Sequence, residues 1–391
     1  MLDVKVMHSM FALIRTVFKS DEKLSEEDEL VIRNNIGQIF VISERCDMAH
    51  LVGYALEQAD LISPENEYHA AFQEKQFMAM MRGAGHEHEL ERLKELYERH
   101  KIAFIPLKGS VIRTLYPESW MRTSSDIDIL FHPEDLERAE KLAIEELGYK
   151  KGKETHHDHS LHTPGNVHVE FHFDLVEDDR ALRAKELLAN VWQYAAPIEE
   201  GRSEYVLSEA MFYFYHTAHT AKHIKWAGVG MRPFLDLWLI NGREDRDDEG
   251  RRLLLEQSGL CRFAEVSDEL IEYWFGEKKE VSDAAKKLEL FVLNSGTYGS
   301  MENRITIVYE SHGGTRGYVL MRVFLPYDML AMLYPIIKKH KWLTPFCEVL
   351  RWFKLLSKGM MKKAVAEVKL AKNTSQEKID EMQSLMTDIG L

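Results

Sequence analysis

Asp126 and Asp128 stand two residues apart in the run Asp126-Ile127-Asp128-Ile129-Leu130-Phe131, where apolar Ile127, Ile129 and Phe131 alternate with the acids. Period-two alternation predicts a strand, and side chains two apart on a strand share a face, so the two carboxylates project together. Like charges that close raise one another's pKa unless a cation sits between them. Magnesium suits such a pair, because it takes oxygen ligands and leaves room for substrate phosphates. Glu170, flanked by Val169 and Phe171 on another expected strand, can supply a third carboxylate. Three carboxylates can hold two metal ions, which clamp the attacking and leaving oxygens of an in-line phosphoryl displacement. An acid-x-acid triplet alone is more often a solvated strand face, so the neighbouring residues decide its weight.

Upstream, the apolar run 102–107 reads as a short strand, followed by Lys108-Gly109-Ser110 and a short helix to Tyr116. A Gly-Ser at a strand-to-helix turn offers backbone N–H groups, a hydroxyl and close approach for a phosphate. Lys108 and Arg122 add positive charge for a triphosphate. Taken alone, Lys108-Gly109 could equally be an ordinary turn.

Histidines form a second signal. His156, His157, His159 and His162 precede the turn Thr163-Pro164-Gly165-Asn166, and His168 and His172 follow it. On a strand His168, Glu170 and His172 share one face, a donor set a transition metal could use. The spacing matches no standard zinc motif, and His172 or His159 could equally position a substrate phosphate. His216, His219 and His223 fall in one helical stripe, which either lines the cleft opposite the carboxylates or consists of ordinary core and surface histidines. Arg232 and Asp236, four apart on an expected helix, suit an exposed i,i+4 pair.

These residues need a frame. The segment 98–207 reads as strand–helix–strand–helix–hairpin, with a helix over 135–147 that Gly148 ends. Residues 1–97 and 208–391 read as mainly helical, with 87–99 the last helix of the first region. Ser208 caps an apolar run. Later helices are expected at 232–240, 249–257, 263–274, 282–293, 346–356 and 360–372. The fold class is therefore α+β: a small mixed-sheet core between helical N- and C-terminal regions. Phe346, Val349, Leu350, Phe353 and Leu356 are spaced as a core-facing helix face.

Leu107-Lys108-Gly109-Ser110, Tyr116-Pro117, Arg122, Asp126-Ile127-Asp128-Ile129-Leu130, Gly148-Tyr149 and Val169-Glu170-Phe171-His172 together resemble the uncharacterised nucleotidyltransferase family of the DNA polymerase beta-like superfamily. The resemblance implies that Asp126, Asp128 and Glu170 bind Mg2+ or Mn2+. It implies that Gly109 and Ser110, with Lys108 and Arg122 beside them, hold a nucleoside triphosphate. His172, His159, His216 and His219 are candidates for positioning substrate. The implied reaction moves a nucleoside monophosphate from the triphosphate to a hydroxyl or phosphate acceptor, which is a small molecule, protein or RNA.

Composition bounds the rest. The net charge of −14 over 391 residues speaks against a general nucleic-acid coat, although ten Lys or Arg against Glu348 and Glu367 make 338–372 basic. Cys46, Cys261 and Cys347 are too scattered for a disulfide framework or a thiolate zinc site. Residues 1–20 lack signal-peptide order. The most apolar window, 318–337, is interrupted by Arg322, Pro326, Asp328 and Pro335 and reads as buried helix and turn rather than a membrane span. A cytoplasmic protein is expected. Two rival readings are a nucleotide-binding regulatory protein without turnover and a histidine-rich metal-dependent hydrolase.

Overall fold

A computed structural model describes residues 3–391 apart from 20, 156, 177–181, 297–298, 300–302, 304–305, 308–319, 321–322 and 358–375. His156 and the helix expected at 360–372 lie outside the described residues. Five helices come first: α1 (Val4–Phe18), α2 (Glu26–Asn34), α3 (Ile36–Arg45), α4 (Ala49–Gln58) and α5 (His69–His100). Ser25 caps α2 by accepting from the Asp28 amide. The stretch expected as a separate helix over 87–99 is instead the second half of the 32-residue α5.

The sheet follows. Its strands are β1 (Phe104–Pro106), β2 (Asp126–Phe131), β3 (Lys150–Glu154), β4 (Asp158–His162) and β5 (His168–His172), in the order β1-β2-β5-β4-β3. Only β2 and β5 run parallel; the other pairs are antiparallel. The short helix α6 (Gly109–Ile112) follows β1, and α7 (Leu136–Leu147) links β2 to β3. Gly148 closes α7 in the left-handed region at φ 73°. β4 and β5 form the expected hairpin. β3 escapes sequence reading because Lys150-Lys151-Gly152-Lys153-Glu154 has no apolar alternation and is wholly exposed. As an edge strand it needs none, and its lysines discourage further pairing.

The two sheet faces differ by residue type. Ile127, Ile129, Phe131, Val169 and Phe171 pack against Leu93, Leu96 and Tyr97 of α5 and Leu136, Ala139 and Ala143 of α7. Tyr97 meets Phe131 edge-on at 4.9 Å. Each fully buried large side chain contributes about 1.5–3 kcal/mol, so register and face are firmly set. The alternate positions, Asp126, Asp128, Glu170 and His172, are thereby turned to the opposite side.

That side is covered by later helices. After α8 (Lys185–Ala189) and a small hairpin of β6 (Ala195–Pro197) and β7 (Tyr205–Leu207) come α9 (Glu209–Trp226), α10 (Arg232–Asn241), α11 (Asp248–Ser258), α12 (Cys261–Phe275) and α13 (Asp283–Ser295). The β6–β7 hairpin has no sequence counterpart above. Ser208 caps α9 as expected, accepting from the Met211 amide. N- and C-terminal helices share a core: Phe11 of α1 stacks on Trp274 of α12 at 4.6 Å, and Ile105 and Leu107 join the same cluster. The architecture is thus the expected one, a small mixed sheet with helical regions on either side in sequence.

Further helices are Tyr327–Leu333, Ile336–Lys339, Thr344–Ser357 and Gln376–Asp388. The helix Thr344–Ser357 corrects one expectation. Phe346, Val349, Leu350 and Phe353 are exposed, at 62%, 42%, 53% and 65%, while Cys347, Glu348 and Arg351 turn inward. The inward charges are satisfied by each other, Arg351 Nε donating to Glu348 at 2.8 Å. Within the apolar window 318–337, Leu330, Ala331 and Ile337 are buried, whereas Leu333 and Ile336 are exposed. Among the described residues no helix is long and apolar enough to cross a membrane.

Candidate active site

Asp126, Asp128 and Glu170 project from the parallel seam of the sheet, where Asp128 is in register with Glu170 and Asp126 with His168. They open into a cleft of about 360 Å³ that is also lined by Lys108, Gly109, Arg122, His172 and, from the α9–α10 side, His216, His219, His223, Arg232 and Asp236. Glu170 is the hinge of the acid group. One of its oxygens lies within 4.8 Å of ligand atoms of Asp126 and His168, and the same holds for Asp128 and His172. Oxygen donors this close suit a hard divalent cation.

The acids are not equivalent. Burial pushes Asp126 up, and the neighbouring charge of Asp128 adds to it. Burial also opposes ionisation of Asp128, but Lys108 and His172 outweigh it and hold this carboxyl below its usual range. Both donors converge on one oxygen: Lys108 Nζ is 3.0 Å and His172 Nε2 2.7 Å from Asp128 Oδ1. Burial works against protonation of His172, yet its hydrogen bonds to Asp128 and Glu170 lift the imidazole to about 9.

The turn after β1 sits against this group. Lys108 adopts φ 45°, ψ −120°, a conformation rare for a side-chain-bearing residue. It aims the ammonium back at β2 while Gly109 starts α6. A Cβ on Gly109 would lie 3.0 Å from Ser124 Cβ and 3.2 Å from Arg122 Nη1, so glycine permits the close approach. Ser110 is one residue further back; its Oγ is buried, with no hydrogen-bond partner among the described residues. Arg113 braces the turn from behind, donating to Gly109 O at 2.9 Å and to Ser124 Oγ at 3.1 Å.

Arg122 reaches the cleft, but its charge is already engaged. It meets Asp236 with Nε at 3.1 Å and Nη2 at 2.8 Å, and Tyr116 donates to the same carboxylate at 2.8 Å. Arg232 pairs with Asp47 at 2.9 Å. The expected i,i+4 pair of Arg232 with Asp236 is therefore replaced by two long-range pairs, one tying α10 to the loop before β2 and the other tying it to the turn between α3 and α4. Tertiary partners with better geometry win over an exposed helical pair worth a few tenths of a kcal/mol.

The α9 stripe faces the carboxylates. His216, His219 and His223 all border the cleft. Burial pushes His216 down to about 3, and its Nε2 is buried with no hydrogen-bond partner among the described residues. Burial likewise lowers His219 well below its ordinary value. His159 is elsewhere. It is paired with Phe171, on the core side of the sheet, and its Nδ1 lies 2.7 Å from Glu140 Oε2 of α7. Strand alternation places its neighbour Asp158 in the cleft instead, beside His157. Asp158 carried no signal in the sequence beyond its position one step out of phase with His159.

Residues 34–276 match the family described as uncharacterised nucleotidyltransferase, and the chain belongs to that family. No curated protein and no solved structure matches the chain.

Proposed function

We propose that the protein is a Mg2+- or Mn2+-dependent nucleotidyltransferase that moves a nucleoside monophosphate from a nucleoside triphosphate to a hydroxyl or phosphate acceptor. The observation that carries this reading is the approach of Glu170 to both Asp126 and Asp128 across the parallel seam. The donor set fits the ion: carboxylate oxygens suit magnesium, and the adjacent imidazoles of His168 and His172 are tolerated by manganese. Bound there, the ion would neutralise phosphate charge and polarise the reacting oxygens.

In this reading Asp126, Asp128 and Glu170 hold the metal. Lys108 and the Gly109 amide meet the phosphates, and Ser110 supports them from behind. Lys108 has a second task, since it and His172 fix the orientation of Asp128. Asp128 Oδ1 already accepts from two nitrogen donors, so Asp128 is a weak base and Glu170 takes the acceptor's proton. Arg122, bound to Asp236, presents its remaining guanidinium edge and orients rather than neutralises. His216 and His219, kept neutral by burial, form the opposite wall, where orientation of the acceptor supplies much of the rate. A cytoplasmic setting and a nucleoside triphosphate partner belong to the same reading.

Labelled nucleoside triphosphates, offered with Mg2+ or Mn2+ and mixed small-molecule, protein and RNA acceptors, test it. Label should pass to an acceptor with pyrophosphate released, and Glu170→Gln should stop it. Nucleotide binding without metal-dependent turnover would favour the regulatory alternative, to which the Lys108–Asp128 ion pair lends its support.

A further inference from the structure

His172 has two different ring edges. Its Nε2 donates to Asp128 Oδ1 at 2.7 Å. Its Nδ1 is buried and has no hydrogen-bond partner among the described residues, in a side chain only 1% exposed. A buried polar atom without a partner is costly and calls for an explanation such as an ion. Directly across the β4–β5 pair from His172 stands Asp158, itself 6% exposed. Next to it, His157 Nε2 lies 2.7 Å from Asp158 Oδ2, and the rings of His157 and His172 are 6.0 Å apart and within 26° of parallel. One ligand atom each of His157, Asp158 and His172 lies within 4.8 Å of the others.

We propose that His157, Asp158 and His172 form a second, transition-metal site on the rim of the cleft, separate from the carboxylate group. The donors are two imidazoles and one carboxylate, a set that favours zinc, cobalt or manganese over magnesium. In this arrangement His172 ligates through Nδ1 while its Nε2–H stays on Asp128. A metal-bound histidine that donates its other N–H to a carboxylate is a recurrent way of fixing tautomer and orientation. His157 has the matching support: its Nδ1 is 3.2 Å from Thr155 Oγ1, leaving Nε2, the nitrogen beside Asp158, to ligate. On binding, the proton shared between His157 Nε2 and Asp158 and the proton on His172 Nδ1 both leave to solvent, because each ligating nitrogen must be unprotonated. Three protein ligands leave a coordination position open toward the cleft, where a phosphate or acceptor oxygen can enter. His172 would then join the two sites, with its Nε2 on the carboxylate side and its Nδ1 on the imidazole side.

Cobalt(II) is the probe, since its visible absorption reports nitrogen and oxygen ligation without any nucleotide present. The full chain, stripped with a chelator, is titrated with Co2+. An Asp126→Asn/Glu170→Gln variant should still bind one Co2+ with an imidazole-type spectrum. His157→Gln and Asp158→Asn should weaken that binding more than tenfold. Thr155→Val, which removes the hydrogen bond behind His157 Nδ1 together with the Oγ1 that accepts from the His157 and Asp158 amides but no ligand atom, should weaken it by about 10–100-fold, and it carries the test if the ligand variants do not fold. Unchanged Co2+ affinity and spectrum in these variants overturn the site, as does loss of all binding in the Asp126/Glu170 variant. Neither result depends on nucleotidyl transfer, so failure of the proposed function would be seen separately, in the label-transfer assay.

Discussion

Asp128 and Glu170 lie in register across the only parallel pair of the five-stranded sheet, and their carboxylates share one cleft. A parallel seam brings strands distant in sequence side by side with equivalent residues facing the same way. Two acids of a doublet and a third from another strand are thereby concentrated where burial already disfavours charge. A cation relieves that conflict, and the first prediction follows from it.

Asp126→Asn and Glu170→Gln should each lower nucleotidyl transfer by at least about a hundredfold, the scale of losing a preorganised electrostatic group. Mn2+ affinity measured by calorimetry should fall in parallel, while circular dichroism stays unchanged. Retained Mn2+ affinity in both variants would remove these residues from the metal site.

Asp236 is the partner on which a buried Arg122 depends, with side-chain exposures of 4% and 11%. Asp236→Asn should cost about 3–5 kcal/mol in urea unfolding, because it strands a desolvated guanidinium. An Arg122→Met/Asp236→Leu double variant should recover most of that loss. Equal destabilisation by the double and single variants would show that the pair is not acting as a unit.

Gly109→Ala should be felt at the turn itself. The added Cβ would crowd Ser124 and Arg122, and relief of such overpacking typically costs about 1–3 kcal/mol. Triphosphate affinity should drop as the Gly109 amide moves away from the cleft. An alanine variant with native stability and native affinity would place the phosphates elsewhere.

His216 makes stability depend on pH. Its folded value of about 3 lies below the ordinary 6.5. Between these values the unfolded chain binds a proton that the folded chain refuses, so stability falls as pH drops from about 6.5 toward 3. Burial lowers His50 and His86 to about 4, which steepens the same window. The melting temperature should therefore be nearly flat above pH 7 as far as these groups are concerned and decline below 6.5. His216→Gln should make that decline shallower; an unchanged slope would mean the imidazole is solvated in the folded protein.

Much of the frame was legible in sequence because it rests on local rules. Period-two alternation put Asp126 and Asp128 on one face and Glu170 with His172 on another strand's face. Gly148 ended its helix and Ser208 began one because caps are satisfied within a few residues. What only the tertiary structure decided depends on partners distant in the chain. The parallel register of Asp128 with Glu170 is set by burying Ile127, Ile129, Val169 and Phe171 under α5 and α7, and no local pattern states it. The antiparallel register of β4 on β5 sends His159 to Glu140 and Asp158 to the cleft, since a one-residue change of phase flips a strand's side chains. Arg122 takes Asp236, the partner that spacing suggested for Arg232, and Arg232 pairs with Asp47 instead. On Thr344–Ser357 the paired Glu348 and Arg351 lie on the inward side and the apolar face points outward, an outcome periodicity does not state because it marks a face without naming what it faces.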